Sequence, residues 1–324
     1  MNAEKYNVDT NISDNYKVTS IKIIFSTSQK KHLLNKYSEE IFIINLITNK
    51  LRRNYIMMLM KKYKIDFTLV LVEPIKEKLY LTLNKNKKLT KSEIGCTLSH
   101  LWCLNKIIKE GHQNAIVFED DIIFHKNFNN LFLNIMNKHT YDFLLLGACD
   151  FSFSSTNYKN VVDGLYRPDP NSIKVYGAHA IYYSLFGARK MFEYIHQNIY
   201  FFDRNFHVLF EYFPETSFIC SPNLVVSDIS TTNLNHYYPF FSESEKSYYS
   251  NCFQFFSFED YAFIYLSIFE NHLKIPISSN DTYESYYTKL IELAFKDKSQ
   301  QEEIKKRSVL NFFNVKDIQM LLLF

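Results

Sequence analysis

The chain has 324 residues, 47% hydrophobic and 22% charged, the composition of a folded protein with a sizeable core and not of a disordered one. A net charge of +3 is too mild to point to nucleic acid, and basic clusters such as "NKNKKLTK" (84–91) read as solvated loop. The five cysteines (96, 103, 149, 220, 252) are an odd number without a C-x-x-C pair, which argues against a disulfide framework or a zinc site and for reduced, mostly buried thiols in a cytoplasmic protein.

The first residues, "MNAEKYNVDTNISD", carry acids and Asn where a signal peptide needs an apolar core. No apolar run approaches the roughly 20 residues of a bilayer span, so the expectation is a soluble protein. Residues 1–38 read as an N-terminal extension. Strand-like runs then recur at 41–46, 67–72, 115–118, 142–147 and 223–227, with an earlier one at 21–25. Leu51, Tyr55, Met58 and Leu59 share one face of a helix that follows the run at 41–46.

A second helix is expected before the run at 115–118. Thr90 and Glu93 have capping-box spacing, Leu98, Leu101, Trp102, Asn105 and Ile108 form a stripe, and Gly111 can close the end. Alternating strands and helices imply an α/β domain with a mainly parallel central sheet, over residues 39–230. All six glycines lie between 95 and 187, and neither GxGxxG nor GxxxxGK[ST] occurs. Residues 231–324 turn polar-aromatic and then helical, a C-terminal appendage. Its last stretch (302–324) is apolar and Lys-bearing, suited to packing on the main domain or to peripheral membrane contact.

The run "AIVFEDDIIF" (115–124) carries three acids at the end of a buried strand. Period-2 geometry puts Glu119 and Asp121 on one side and Asp120 on the other, at the carboxyl edge where ligands bind in open α/β sheets. Asp121 is the first candidate metal ligand, with Glu119 or Asp120 as the second; such hard oxygen pairs suit Mn²⁺ or Mg²⁺ on a substrate diphosphate. Asp228 and His236, after the run at 223–227, are further candidates, set against an ordinary polar loop.

Four blocks in this order resemble glycosyltransferase family 25, which includes lipooligosaccharide and procollagen galactosyltransferases. They are "IFIINLITNKLRR" (41–53), "LTKSEIGCTLSHLWCL" (89–104), "AIVFEDDIIF", and "VYGAHAIYYSLFGARKM" (175–191), with a weaker fifth, "YFFDRNF" (200–206). The resemblance implies a GT-A-type fold, a UDP-sugar donor, a divalent cation, and transfer of galactose or glucose with inversion to a glycan or glycoprotein acceptor. The candidates for donor binding are Asn45, Arg52, Arg53, Ser99, His100, Glu119, Asp120 and His179, the last of which could line the acceptor pocket instead. An inverting displacement also needs a base for the acceptor hydroxyl, for which Asp203 is the first candidate and Asp150 and Asp228 are others. The first turn departs from the family, with "ITNKL" where an Asp and more arginines usually stand. That departure supports the alternative, a catalytically degenerate binding or scaffold protein.

Overall fold

The apolar runs pair into one nine-stranded sheet that carries helices on both faces. The computed structural model describes residues 16–25, 32–84, 89–125, 127–150, 161–168, 175–197, 199–221 and 223–227. The helical appendage expected at 231–324, together with Asp228 and His236, lies outside the described residues.

In chain order the strands are β1 (Val18–Ile23), β2 (Glu40–Leu46), β3 (Phe67–Val72), β4 (Asn114–Glu119), β5 (Ile122–Phe124), β6 (Phe143–Asp150), β7 (Val161–Val162), β8 (Leu165–Tyr166), β9 (Val175–Ser184), β10 (Ser217–Cys220) and β11 (Val225–Ser227). The helices are α1 (Leu34–Tyr37), α2 (Lys50–Tyr63), α3 (Glu77–Leu83), α4 (Lys91–Glu110), α5 (Phe128–Met136), α6 (Leu185–Gln197) and α7 (His207–Tyr212).

The large sheet runs β1-β3-β2-β4-β9-β6-β10-β8-β7, and β11 pairs with β5 in a small second sheet. Parallel pairing joins β3, β2 and β4, and again β6 and β10; the other neighbours are antiparallel. The sheet is therefore mixed, which corrects the mainly parallel expectation. At its centre the cause is β9, which lies inverted between β4 and β6; at its edges β1 and β8 also run antiparallel to their neighbours. A parallel return needs a crossover, usually a helix, and the described chain between β6 and β9 holds only the β7–β8 hairpin.

Burial on both faces explains why β2 reads as a continuous apolar run. Ile41 and Ile43 meet α2 through Tyr55, Ile56 and Leu59, while Phe42 and Ile44 belong to the core formed with α4. Helix α4 has the ends its sequence specifies. The Thr90 hydroxyl accepts from the Glu93 amide at 3.3 Å, the Glu93 carboxylate accepts from the Thr90 amide at 2.6 Å, and Gly111 stops the helix at φ +71°. Helix α2 starts at Asn49, whose side-chain oxygen accepts from the Arg52 amide at 3.2 Å. These two caps fix where Arg52 and His100 stand.

Residues assigned to the N-terminal extension include β1, which pairs with β3 along its whole length as an edge strand. Just before it, buried Tyr16 reaches α4. Its hydroxyl lies 2.7 Å from the Ser99 hydroxyl and donates to the Gly95 carbonyl at 3.1 Å.

Candidate active site

Strand β4 ends at Glu119, and Asp120 and Asp121 form the turn into β5. Parallel register sets Glu119 opposite Ile44, so the acids emerge beside Asn45 at the same edge of β2. Strict alternation stops where the strand stops, and the turn gives Asp120 and Asp121 a common partner.

That partner is Arg52, in the first turn of α2. One guanidinium nitrogen donates to Asp120 Oδ1 at 3.0 Å, and the other lies 3.3 Å from Asp121 Oδ2. Asn45 donates to the second Asp120 oxygen at 2.6 Å and to the Asn49 carbonyl at 3.1 Å. Arg52, Asp120 and Asp121 are all buried. Burial pushes the Asp120 carboxyl up, and Arg52 and Asn45 restrain that rise without cancelling it. Arg53 turns outward instead, donating to the Ile47 carbonyl at 3.0 Å and lying 3.4 Å from the Asn45 side-chain oxygen.

Glu119 faces a different environment. His100 Nε2 lies 3.1 Å from its Oε1, and the Cys96 thiol donates to the same oxygen at 3.4 Å. The two donors sit one turn apart on α4, which places both on one face. The His100 ring stacks on Phe202 with centroids 4.2 Å apart. Thr97, on the same helix, donates to the Tyr200 carbonyl at 2.7 Å. These contacts dock the 200–203 segment on α4 and bring Asp203 within electrostatic reach of Glu119 and Cys96.

Burial works to raise the Glu119 carboxyl, but His100, His179 and Cys96 outweigh it and hold it below the ordinary range. Burial pushes the Cys96 thiol well up, reinforced by Glu119 and Asp203, so it stays protonated. His179, buried on β9, donates from Nε2 to the Val225 carbonyl at 3.2 Å, and burial depresses its basicity. Asp203 accepts from the Gly177 amide at 3.0 Å, where the chain turns at φ +98°, a conformation that suits glycine. Burial raises the Asp203 carboxyl, and the Gly177 amide only partly offsets it.

The structure thus gathers Asn45, Arg52, His100, Glu119, Asp120, Asp121, His179 and Asp203 around one strand end. Ser99 is not among them, because its hydroxyl donates to the Gly95 carbonyl at 2.7 Å and meets Tyr16. Asp150 ends β6 opposite Val175. Cys96 is a site residue that the sequence places in the core with the other cysteines, although its i, i+4 spacing from His100 is a usable signal. Phe202 and Gly147 carry no such signal. A Cβ at Gly147 would run into the Val225 carbonyl and the His179 ring, so only glycine lets β11 lie against β6 here.

Ligand atoms of Cys96, His100 and Glu119 lie within 4.8 Å of one another. The Glu119 side chain is 28% exposed, and among the described residues its Oε2 makes no hydrogen bond. Glu119 and Asp121 are hard oxygen donors at this edge, a set that fits Mn²⁺ or Mg²⁺.

The profile of glycosyltransferase family 25 (LPS biosynthesis protein) matches residues 38–204, a little over half of the chain and all of the residues gathered at this edge. The chain belongs to glycosyltransferase family 25. Among its relatives in this family, "Probable inactive glycosyltransferase 25 family member 3" of Bos taurus is 32% identical over 113 residues, covering 32% of this chain and 18% of the relative. "Procollagen galactosyltransferase 1" of Danio rerio is 29% identical over 114 residues, covering 31% of this chain and 19% of the relative. The chain spans about a fifth of the length of these curated family 25 relatives.

Proposed function

We propose that this chain is a metal-dependent, inverting glycosyltransferase of GT-A type. It moves a hexose, galactose or glucose, from a UDP-sugar to a glycan acceptor such as lipooligosaccharide or a glycosylated protein. The observation that carries this reading is the convergence of three acids with Asn45, Arg52 and two histidines at the carboxyl end of β4, in a family 25 chain. The name of the zebrafish relative supports galactose.

Glu119 and Asp121 would hold Mn²⁺ or Mg²⁺, which when bound supplies positive charge to a diphosphate leaving group. Arg52 favours the charged form of Asp120 and pairs with both Asp120 and Asp121, and Asn45 ties the turn to β2. Asp203 is the base. Its elevated carboxyl pKa improves the match to a hydroxyl proton, which it takes as the new C–O bond forms and UDP departs. Asp150 at the end of β6 and Asp228 are the other carboxylates in contention.

The test is a panel of UDP-sugars assayed for UDP release with and without Mn²⁺. UDP-galactose or UDP-glucose should turn over only with the cation. Asp121→Asn should lose at least about a hundredfold in rate with the far-ultraviolet circular dichroism unchanged, since it removes transition-state charge stabilisation. Undiminished turnover in that variant removes the acids from the mechanism. A second reading, a binding or scaffold protein, is favoured by the internal pairing of Asp120 and Asp121 with Arg52 and by the name of the bovine relative. Calorimetry with UDP and Mn²⁺ separates the two, because a scaffold without the site shows no cation-dependent UDP binding.

A further inference from the structure

We propose that Cys96 and His100 are positioning residues that clamp one oxygen of Glu119, so that the carboxylate presents its other oxygen alone to ligand. The proposal rests on the glycosyltransferase function proposed above. Both donors converge on Oε1, at 3.4 and 3.1 Å, while Oε2 makes no hydrogen bond among the described residues. A carboxylate held this way cannot rotate freely and leaves only the lone pairs of one oxygen open, which suits single-oxygen coordination of a cation. The clamp is rigid because its parts are. Cys96 and His100 lie one turn apart on a capped helix, and Phe202 fixes the plane of the imidazole.

The same three side chains have the makings of a metal tripod, but the second ring nitrogen decides against it. His100 Nδ1 is buried and has no hydrogen-bond partner among the described residues. A metal on Nε2 would force the proton onto Nδ1 and leave a buried N–H without an acceptor. A proton on Nε2, given to Glu119, leaves Nδ1 as a bare lone pair, which costs less than an orphaned donor. His100 therefore acts on Glu119 and not on an ion.

Four substitutions separate a clamp from ordinary packing. His100→Phe keeps the stack on Phe202 and removes the donor; His100→Gln keeps a donor at similar reach and removes the ring. Cys96→Ala removes the thiol donor and Cys96→Ser keeps one. The readout is the Mn²⁺ concentration needed for half-maximal UDP binding, by calorimetry on the full chain. Loss of an outer partner of a ligand typically costs about 10- to 100-fold, so His100→Phe should require at least about tenfold more Mn²⁺. His100→Gln should stay within about threefold of the parent. Cys96→Ala should show a smaller loss, about threefold, which Cys96→Ser restores, since a thiol is a weak donor.

Parent-like binding by His100→Phe, with His100→Gln impaired, would make His100 a packing residue and overturn the clamp. A crystal structure of His100→Phe tests the clamp without any ligand. Glu119 turned away from Cys96 supports it, and Glu119 unmoved refutes it. Absence of Mn²⁺-dependent UDP binding in the parent chain would instead strike at the glycosyltransferase function, leaving the crystallographic arm to judge the clamp.

Discussion

The two flanks of the acidic turn hold their carboxylates by different physics. On the α2 side, a buried guanidinium reaches Asp120 and Asp121 together, so charge answers charge in a place closed to water. On the α4 side, Glu119 is partly open and is held by an imidazole N–H and a thiol. The first arrangement is costly to disturb, because any loss strands a buried charge. The second holds direction more than energy, which is what a group that must meet a ligand requires. Adjacent residues in sequence therefore divide the work, with Asp120 anchoring the turn and Glu119 facing outward.

Replacing Arg52 attacks the ionic flank and should have the largest effect. Arg52→Ala leaves Asp120 buried without its cation and should destabilise the fold by about 3–5 kcal/mol in urea denaturation. A loss below about 1 kcal/mol would erase the contrast between the flanks. Gly147→Ala disturbs neither helix flank but the sheet beside them, since its Cβ would push on the Val225 carbonyl that His179 holds. Overpacking of this kind costs about 1–3 kcal/mol, and an unchanged melting temperature would mean that β11 moves aside freely.

The smallest effects lie in the pH dependence, where Glu119 and Asp203 have opposite signs. The folded Glu119 carboxyl titrates below its unfolded value, so its contribution is present above the ordinary carboxylate range and is lost as pH falls through the depressed value. Glu119→Gln should flatten that acid limb of a stability–pH curve. Asp203 titrates above its unfolded value, so its contribution is full at low pH and is lost as pH rises through the elevated value. Asp203→Asn, which keeps an acceptor for the Gly177 amide, should gain stability relative to the parent at neutral pH. Identical pH curves for both variants and the parent would mean that neither acid is shifted.

Helix α4 is legible in sequence because its caps are local chemistry, written within three residues at one end and in a single glycine at the other. The central strands β2, β3 and β4 are legible because burial on both faces leaves unbroken apolar runs. The direction of β9 is not, since it depends on how the chain returns from β6 and not on the residues of the strand. At the site, the period-2 pattern of the acids runs only as far as Glu119, where the strand ends, and the shared partner of Asp120 and Asp121 comes from a helix 68 residues earlier. Cys96 looks like core because it is a small hydrophobe on a helix, and its reach to Glu119 emerges only when α4 is laid against β4.

Tyr16 and β1 bear on how the protein can be handled. The family match begins at residue 38, which makes that position an inviting place to start an expressed fragment. Such a fragment would strip the outer edge of β3, whose side chains are nearly all apolar and buried, of the six residues that pair with it. An uncovered apolar edge is a template for aggregation. It would also cut the tether from Tyr16 to Gly95 and Ser99 on the helix that carries the Glu119 clamp. The segment ahead of the recognisable family region thus guards the solubility of the sheet and the alignment of the site at once.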